Sequence, residues 1–142
     1  MAKQANRYQK VRYERKFIVP EQCRSSIYYL LAVHPALFSE IFCERQINNI
    51  YFDSINYKFY NENIAGIASR KKVRLRWYGS LYGKVNAQLE IKTKYGMTGS
   101  KETYCFPPFN FTDQTNILDI KALLLAADIP EHIRQELLTL EL

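Results

Sequence analysis

Apolar and polar residues alternate along several short stretches of this 142-residue chain, the period-2 signature of half-buried strands. In a strand predicted over 11–19, Val11, Tyr13, Phe17 and Val19 share one side with Arg15, and Lys10, Arg12, Glu14 and Lys16 share the other. Pro20-Glu21 then opens a helix predicted over 21–33, with proline at a first-turn position. Pro35 interrupts it, and 36–42 reads as a short second helical piece. A strand over 46–53 follows, then a loop with a helical turn over 54–63. Further strands are predicted over 70–78, 86–95 and 101–106, with Gly96 and Gly99 bracketing the turn between the last two. Pro107-Pro108 stops the series, and nothing after it reads as a strand. From 116 to 142 the pattern is helical, with Ile133, Leu137 and Leu140 at i, i+4, i+7. Strand, helices, four strands, helices is not the alternation of a doubly wound sheet. It predicts an α+β fold with a mainly antiparallel sheet.

Composition narrows the class. The length suits one domain, and 47% hydrophobic with 24% charged residues is globular rather than disordered. Eleven Tyr and eight Phe suit strands and packed cores. No apolar run is long enough to span a membrane, and the polar, basic first ten residues do not read as a signal peptide. Cys23, Cys43 and Cys105 lack metal-ligand spacing and fit reduced thiols in the cytoplasm; Cys23 and Cys43 read as small buried residues. The net charge of +6 points to an anionic partner.

The charge is not spread evenly. In the strand over 70–78, Val73, Leu75 and Trp77 oppose Arg70, Lys72, Arg74, Arg76 and Tyr78. In the next, Leu89 and Ile91 oppose Gln88, Glu90, Lys92 and Lys94, and Lys101 joins the basic side from the last strand. A solvated sheet face ordinarily mixes Thr, Ser, Gln, Glu and Lys, and like charges directly opposite each other are destabilising. Such a face either splays its charges into water or holds an anion. Arginine pairs suit phosphate through their planar forks. Glu14 and Glu90 lie among the cations, either balancing charge or offering hard oxygens to a divalent metal.

Arg12-Tyr13-Glu14-Arg15-Lys16-Phe17, Asn49-Ile50-Tyr51-Phe52-Asp53, Arg70-Lys71-Lys72-Val73-Arg74-Leu75-Arg76-Trp77-Tyr78-Gly79 and Leu89-Glu90-Ile91-Lys92-Thr93-Lys94, followed by Lys101, occur in that order. The set resembles the VTC domain, the polyphosphate-polymerase module of the triphosphate tunnel (CYTH-like) superfamily. The resemblance covers about residues 7 to 106. It implies an antiparallel β-tunnel with a cationic lumen and helices outside. It also implies that 1–142 is one such domain, incomplete at its C-terminal end.

The resemblance further implies roles. Lys16, Arg74, Arg76 and Lys92 would contact the reacting phosphates, with Arg12, Arg70, Lys94, Lys101 and Tyr78 binding substrate. Glu14 and Glu90 would be candidates for Mg²⁺ or Mn²⁺. The superfamily's first strand has Glu-x-Glu-x-Lys where this chain has Arg12-x-Glu14-x-Lys16, which favours a more basic lumen over a triphosphatase. The implied partners are nucleoside triphosphate and polyphosphate, and the implied chemistry is phosphoryl transfer, which needs positioning and electrostatic stabilisation. No GxxxxGK[ST] loop is present, so side chains would hold the phosphates. A non-catalytic polyphosphate or inositol-phosphate sensor is the alternative. Nucleic acid fits less well, because the aromatics mostly share the apolar face, Tyr78 excepted.

Overall fold

The computed structural model describes residues 18–142. The strand expected over 11–19 lies almost wholly outside the described residues, as do Arg12, Glu14 and Lys16. The chain divides into two units, Met1–Glu44 and Arg45–Leu142.

In the described part of the first unit, a 3-10 turn at Glu21–Cys23 leads into α1, Arg24–Ala32. Its side chains are exposed, Cys23 and Cys43 included, which corrects their expected burial. Among the described residues of this unit none is buried, so none of them encloses the thiols. The helical piece expected over 36–42 is also absent. Leu37 takes a left-handed backbone, φ 49°, which a right-handed helix cannot absorb. The His34 Nδ1 accepts the Ala36 amide at 3.0 Å and closes the turn instead.

The second unit carries the sheet. Its elements are β1 (Ile47–Phe52), α2 (Lys58–Ile64), β2 (Ser69–Tyr78), β3 (Gly83–Val85), β4 (Gln88–Tyr95), β5 (Thr98–Cys105), β6 (Phe109–Phe111), α3 (Ile117–Ala126) and α4 (Glu131–Leu138). Four strands form an antiparallel sheet in the order β1-β2-β4-β5, and β3 pairs with β6. The fold is therefore α+β with antiparallel sheets, and among the described residues the larger sheet is open, with β1 and β5 as its edges. β6 overturns the expectation that no strand follows Pro108. Phe-Asn-Phe is too short for periodicity to register, and it is fixed by pairing with Gly83–Val85.

The apolar face predicted from alternation is the core face. Phe52, Val73, Leu75, Trp77, Leu89 and Ile91 are buried in one cluster with Ile120 and Leu124 of α3 and Ile133 and Leu137 of α4. Asn116 caps α3, taking the Leu118 and Asp119 amides while Asp119 reaches back to the Asn116 amide. Beyond α4 the chain returns to β1: Asp53 and Glu141 exchange backbone hydrogen bonds of 2.9 and 2.7 Å. The Asp53 carboxylate accepts the amides of Ser54, Phe59 and Tyr60 at 2.7–2.8 Å. It thus caps α2 from outside, where Tyr57, at φ 53°, makes no side-chain cap.

Burying one face on α3 and α4 leaves the other face of β1, β2, β4 and β5 to the polar residues. The sequence alternation thereby becomes a surface.

Candidate functional site: a cationic sheet face

Strand register arranges that face in rows. One row reads Asn49, Arg76, Gln88, Cys105 across the four strands. The next reads Tyr51, Arg74, Glu90, Thr103. A third holds Lys72, Lys92 and Lys101, and a fourth Arg70, Lys94 and Gly99. Tyr78 stands opposite Ile47 at the far end. Arg70, Lys72, Arg74, Arg76, Lys92, Lys94 and Lys101 thus share a face on which Glu90 is the one carboxylate among the described residues.

Glu90 is 4% exposed. Its Oε2 accepts Arg74 Nε at 2.9 Å and Nη2 at 2.6 Å, and its Oε1 accepts Lys101 Nζ at 2.5 Å. Arg76 Nη1 stands 3.7 Å from the same Oε2. Arg74 also donates to the Tyr51 hydroxyl at 3.3 Å, and Arg76 Nε donates to Asn49 Oδ1 at 2.9 Å. Arg70 donates to the Ile67 carbonyl, and the Arg45 guanidinium lies 4.1 Å above the Tyr78 ring. Lys72, Lys92 and Lys94 have no carboxylate partner among the described residues. Lys71, on the opposite face, pairs with Glu136 at 2.6 Å.

The structure therefore brings Arg70, Arg74, Arg76, Tyr78, Lys92, Lys94 and Lys101 to one face, as alternation predicts. It adds Arg45, Asn49 and Tyr51. Alternation over 46–53 does not separate a polar side, and it is hydrogen bonds across strands that show what Asn49 and Tyr51 hold.

Burial alone would raise the Glu90 carboxyl. Hydrogen bonds from Lys101 and Arg74, and the charge behind them, outweigh burial and hold it below the usual carboxylate range. For Arg74, burial works to lower the pKa, and the bonds to Glu90 and Tyr51 overcome it, so the guanidinium stays charged. The stability consequence has a definite sign. A carboxyl depressed in the folded state gives the unfolded state more bound protons, so its contribution is full above the unfolded value, about 4.3. It is lost as pH falls through the lower folded value. Urea denaturation of the chain is expected to show an acid-side loss of stability that Glu90→Gln reduces. An identical pH dependence in the two proteins would refute the assignment.

The resemblance implies a divalent metal, and Glu90 does not fit one, because both its oxygens already take cationic donors. Among the described residues no three His, Cys, Asp or Glu side chains are grouped closely enough to hold an ion.

The fold and face define a class: an α+β domain whose antiparallel sheet rests on helices by one face and presents rows of arginine and lysine on the other. The VTC domain model matches residues 11–133, and the chain belongs to that family. A 47-residue stretch is 40% identical to vacuolar transporter chaperone complex subunit 2 of Saccharomyces cerevisiae, covering 33% of this chain and 6% of that protein. The match thus spans a small part of the relative's length. No solved structure matches the chain. No helix of the described residues is long and apolar enough to cross a membrane.

Proposed function

We propose that the cationic face binds linear phosphate polyanions, nucleoside triphosphate and polyphosphate, and serves phosphoryl transfer to a growing polyphosphate chain. The observation that carries this reading is the row Lys72, Lys92, Lys101. Lys72 and Lys92 stand on directly paired positions with no carboxylate partner among the described residues, like charges whose juxtaposition costs stability until an anion spans them, while Lys101, paired with Glu90, continues the row next to that of Arg74. A linear polyphosphate repeats its negative charge at short intervals and can engage several rows at once. Arginine forks at Arg74 and Arg76 suit terminal phosphate oxygens, while the lysines act as point charges along the chain. Family membership supports the reading, as does the similarity to a vacuolar transporter chaperone complex subunit; association with such a complex belongs to the same proposal.

A second reading, binding without turnover, is favoured by Glu90, whose oxygens are committed to Arg74 and Lys101 rather than open to a metal. Both readings share the binding step. Titration calorimetry with tripolyphosphate is expected to show binding that weakens with salt, as screened charges require. Lys72→Gln with Lys92→Gln is expected to lower affinity about tenfold, a loss of roughly 1.4 kcal/mol. Unchanged affinity in that double variant would overturn the site. Displacement of the bound anion by an oligonucleotide more readily than by short polyphosphate would favour nucleic acid instead. Formation of polyphosphate from ATP and a divalent metal would separate turnover from sensing.

A further inference from the structure

We propose that Glu90 is a positioning residue of this face: it holds Arg74 and Lys101 in the geometry that receives phosphate, so that removing its negative charge weakens polyphosphate binding. The inference rests on the phosphate reading of the face and assigns the role of its buried acid.

An acid inside an anion site is ordinarily a liability, since like charges repel most where water is scarce. Charge balance alone would therefore make Glu90 a competitor of the ligand. The geometry points the other way. Glu90 sits in the row of Arg74 and Thr103, whereas Lys101 belongs to the next row, opposite Lys92. Lys101 reaches diagonally to Glu90 Oε1 and so leans away from the two lysines it would otherwise crowd. The Lys101 side chain is 48% exposed, on a flexible four-carbon stem, and the Glu90 contact restricts where its ammonium stands. Arg74 is held on two of its nitrogens by the same carboxylate and on the third by Tyr51. An Arg fork with Nε and one Nη2 hydrogen committed to Glu90, and one Nη1 hydrogen to Tyr51, keeps two N–H groups with fixed directions. Cations held in this way do not pay their ordering entropy when the ligand arrives. Glu90 is itself almost fully buried, so its charge is already spent on these partners.

The experiment is tripolyphosphate titration of the full chain and two variants, with folding checked by circular dichroism. Glu90→Gln keeps the shape, removes the charge and offers one acceptor oxygen in place of two, so Arg74 and Lys101 cannot both be held. It raises the net positive charge of the face, yet its affinity is expected to fall about tenfold, the loss of one charge-assisted hydrogen bond's worth of organisation. Because the loss is geometric, it persists at raised salt, where a screened charge effect would fade. Glu90→Asp keeps the charge and withdraws it by one methylene, and its affinity is expected to fall as well. It also decides the matter should Glu90→Gln not fold. Tighter or unchanged binding by Glu90→Gln, or Glu90→Asp binding like the unaltered chain, would overturn the inference. Failure of the unaltered chain to bind tripolyphosphate would overturn the phosphate reading itself, and it is seen before any substitution is made.

Discussion

Arg74→Ala is expected to lose tripolyphosphate affinity by about a hundredfold, some 2.7 kcal/mol, and to destabilise the fold as well. Arg74 lies at the centre of the cationic face, between Tyr51 and Glu90 in its row. Its removal takes away a phosphate-facing fork and also the principal partner of a buried carboxylate. Breaking a fully buried pair costs about 3–5 kcal/mol, because it strands a charge. Here Lys101 and Arg76 remain near Glu90, and the Arg74 side chain is 22% exposed, so about 2 kcal/mol is the reasonable expectation. Arg74→Lys separates the two effects. It keeps the charge and loses the fork, so it is expected to recover much of the stability and little of the affinity. Arg76→Ala should spare stability further, since its closest bond is to Asn49 rather than to Glu90. Calorimetric titration and urea denaturation on the same proteins check both quantities. Wild-type affinity in a folded Arg74→Ala would remove this face from consideration as the phosphate site.

Trp77→Ala is expected to cost about 3–5 kcal/mol of stability, a large share of what a domain this size possesses. Trp77 is 2% exposed, on the apolar side of β2, directly behind the arginine rows. Its ring packs 5.2 Å from Phe111 of β6, and its indole N–H donates to the Ser80 carbonyl at 3.1 Å. The side chain therefore ties the two-stranded sheet to the four-stranded one. Phe111 also stacks on Tyr82 and meets Phe109 edge-on, so a void at Trp77 would loosen an aromatic cluster, not one contact. Tyr95→Ala is the control: the ring is 75% exposed at the β4–β5 turn, and its loss should stay within about 0.5 kcal/mol. Far-UV circular dichroism is the suitable probe, because the chain holds a single tryptophan and the variant loses its fluorescence. Equal midpoints for the two variants would show that Trp77 is not a core residue.

How much of this was legible in the chain depends on the length of the pattern. β2 and β4 each run eight residues or more, so alternation identifies both strands and sorts Arg70, Lys72, Arg74, Arg76, Lys92 and Lys94 from Val73, Leu75, Leu89 and Ile91. β3 and β6, at three residues each, carry too few positions for a period to appear. The stretch after Pro35 looked helical by composition, but Leu37 adopts a backbone that ends helices, a choice made by the turn at His34.

The sequence by itself determined that one side of the sheet would be apolar and the other cationic, because side-chain direction in a strand is fixed by position parity. Family membership likewise rested on residues readable in order. Only the tertiary structure decided how the cations stand toward one another. Register is a property of paired strands, and it sets Lys92 between Lys72 and Lys101, and Arg74 against Glu90. The same acid that spacing offered as a metal ligand is thereby enclosed by Arg74 and Lys101. Residues 11 and 16 positions apart meet there because antiparallel pairing folds β2 and β5 onto β4, a proximity that no local pattern encodes.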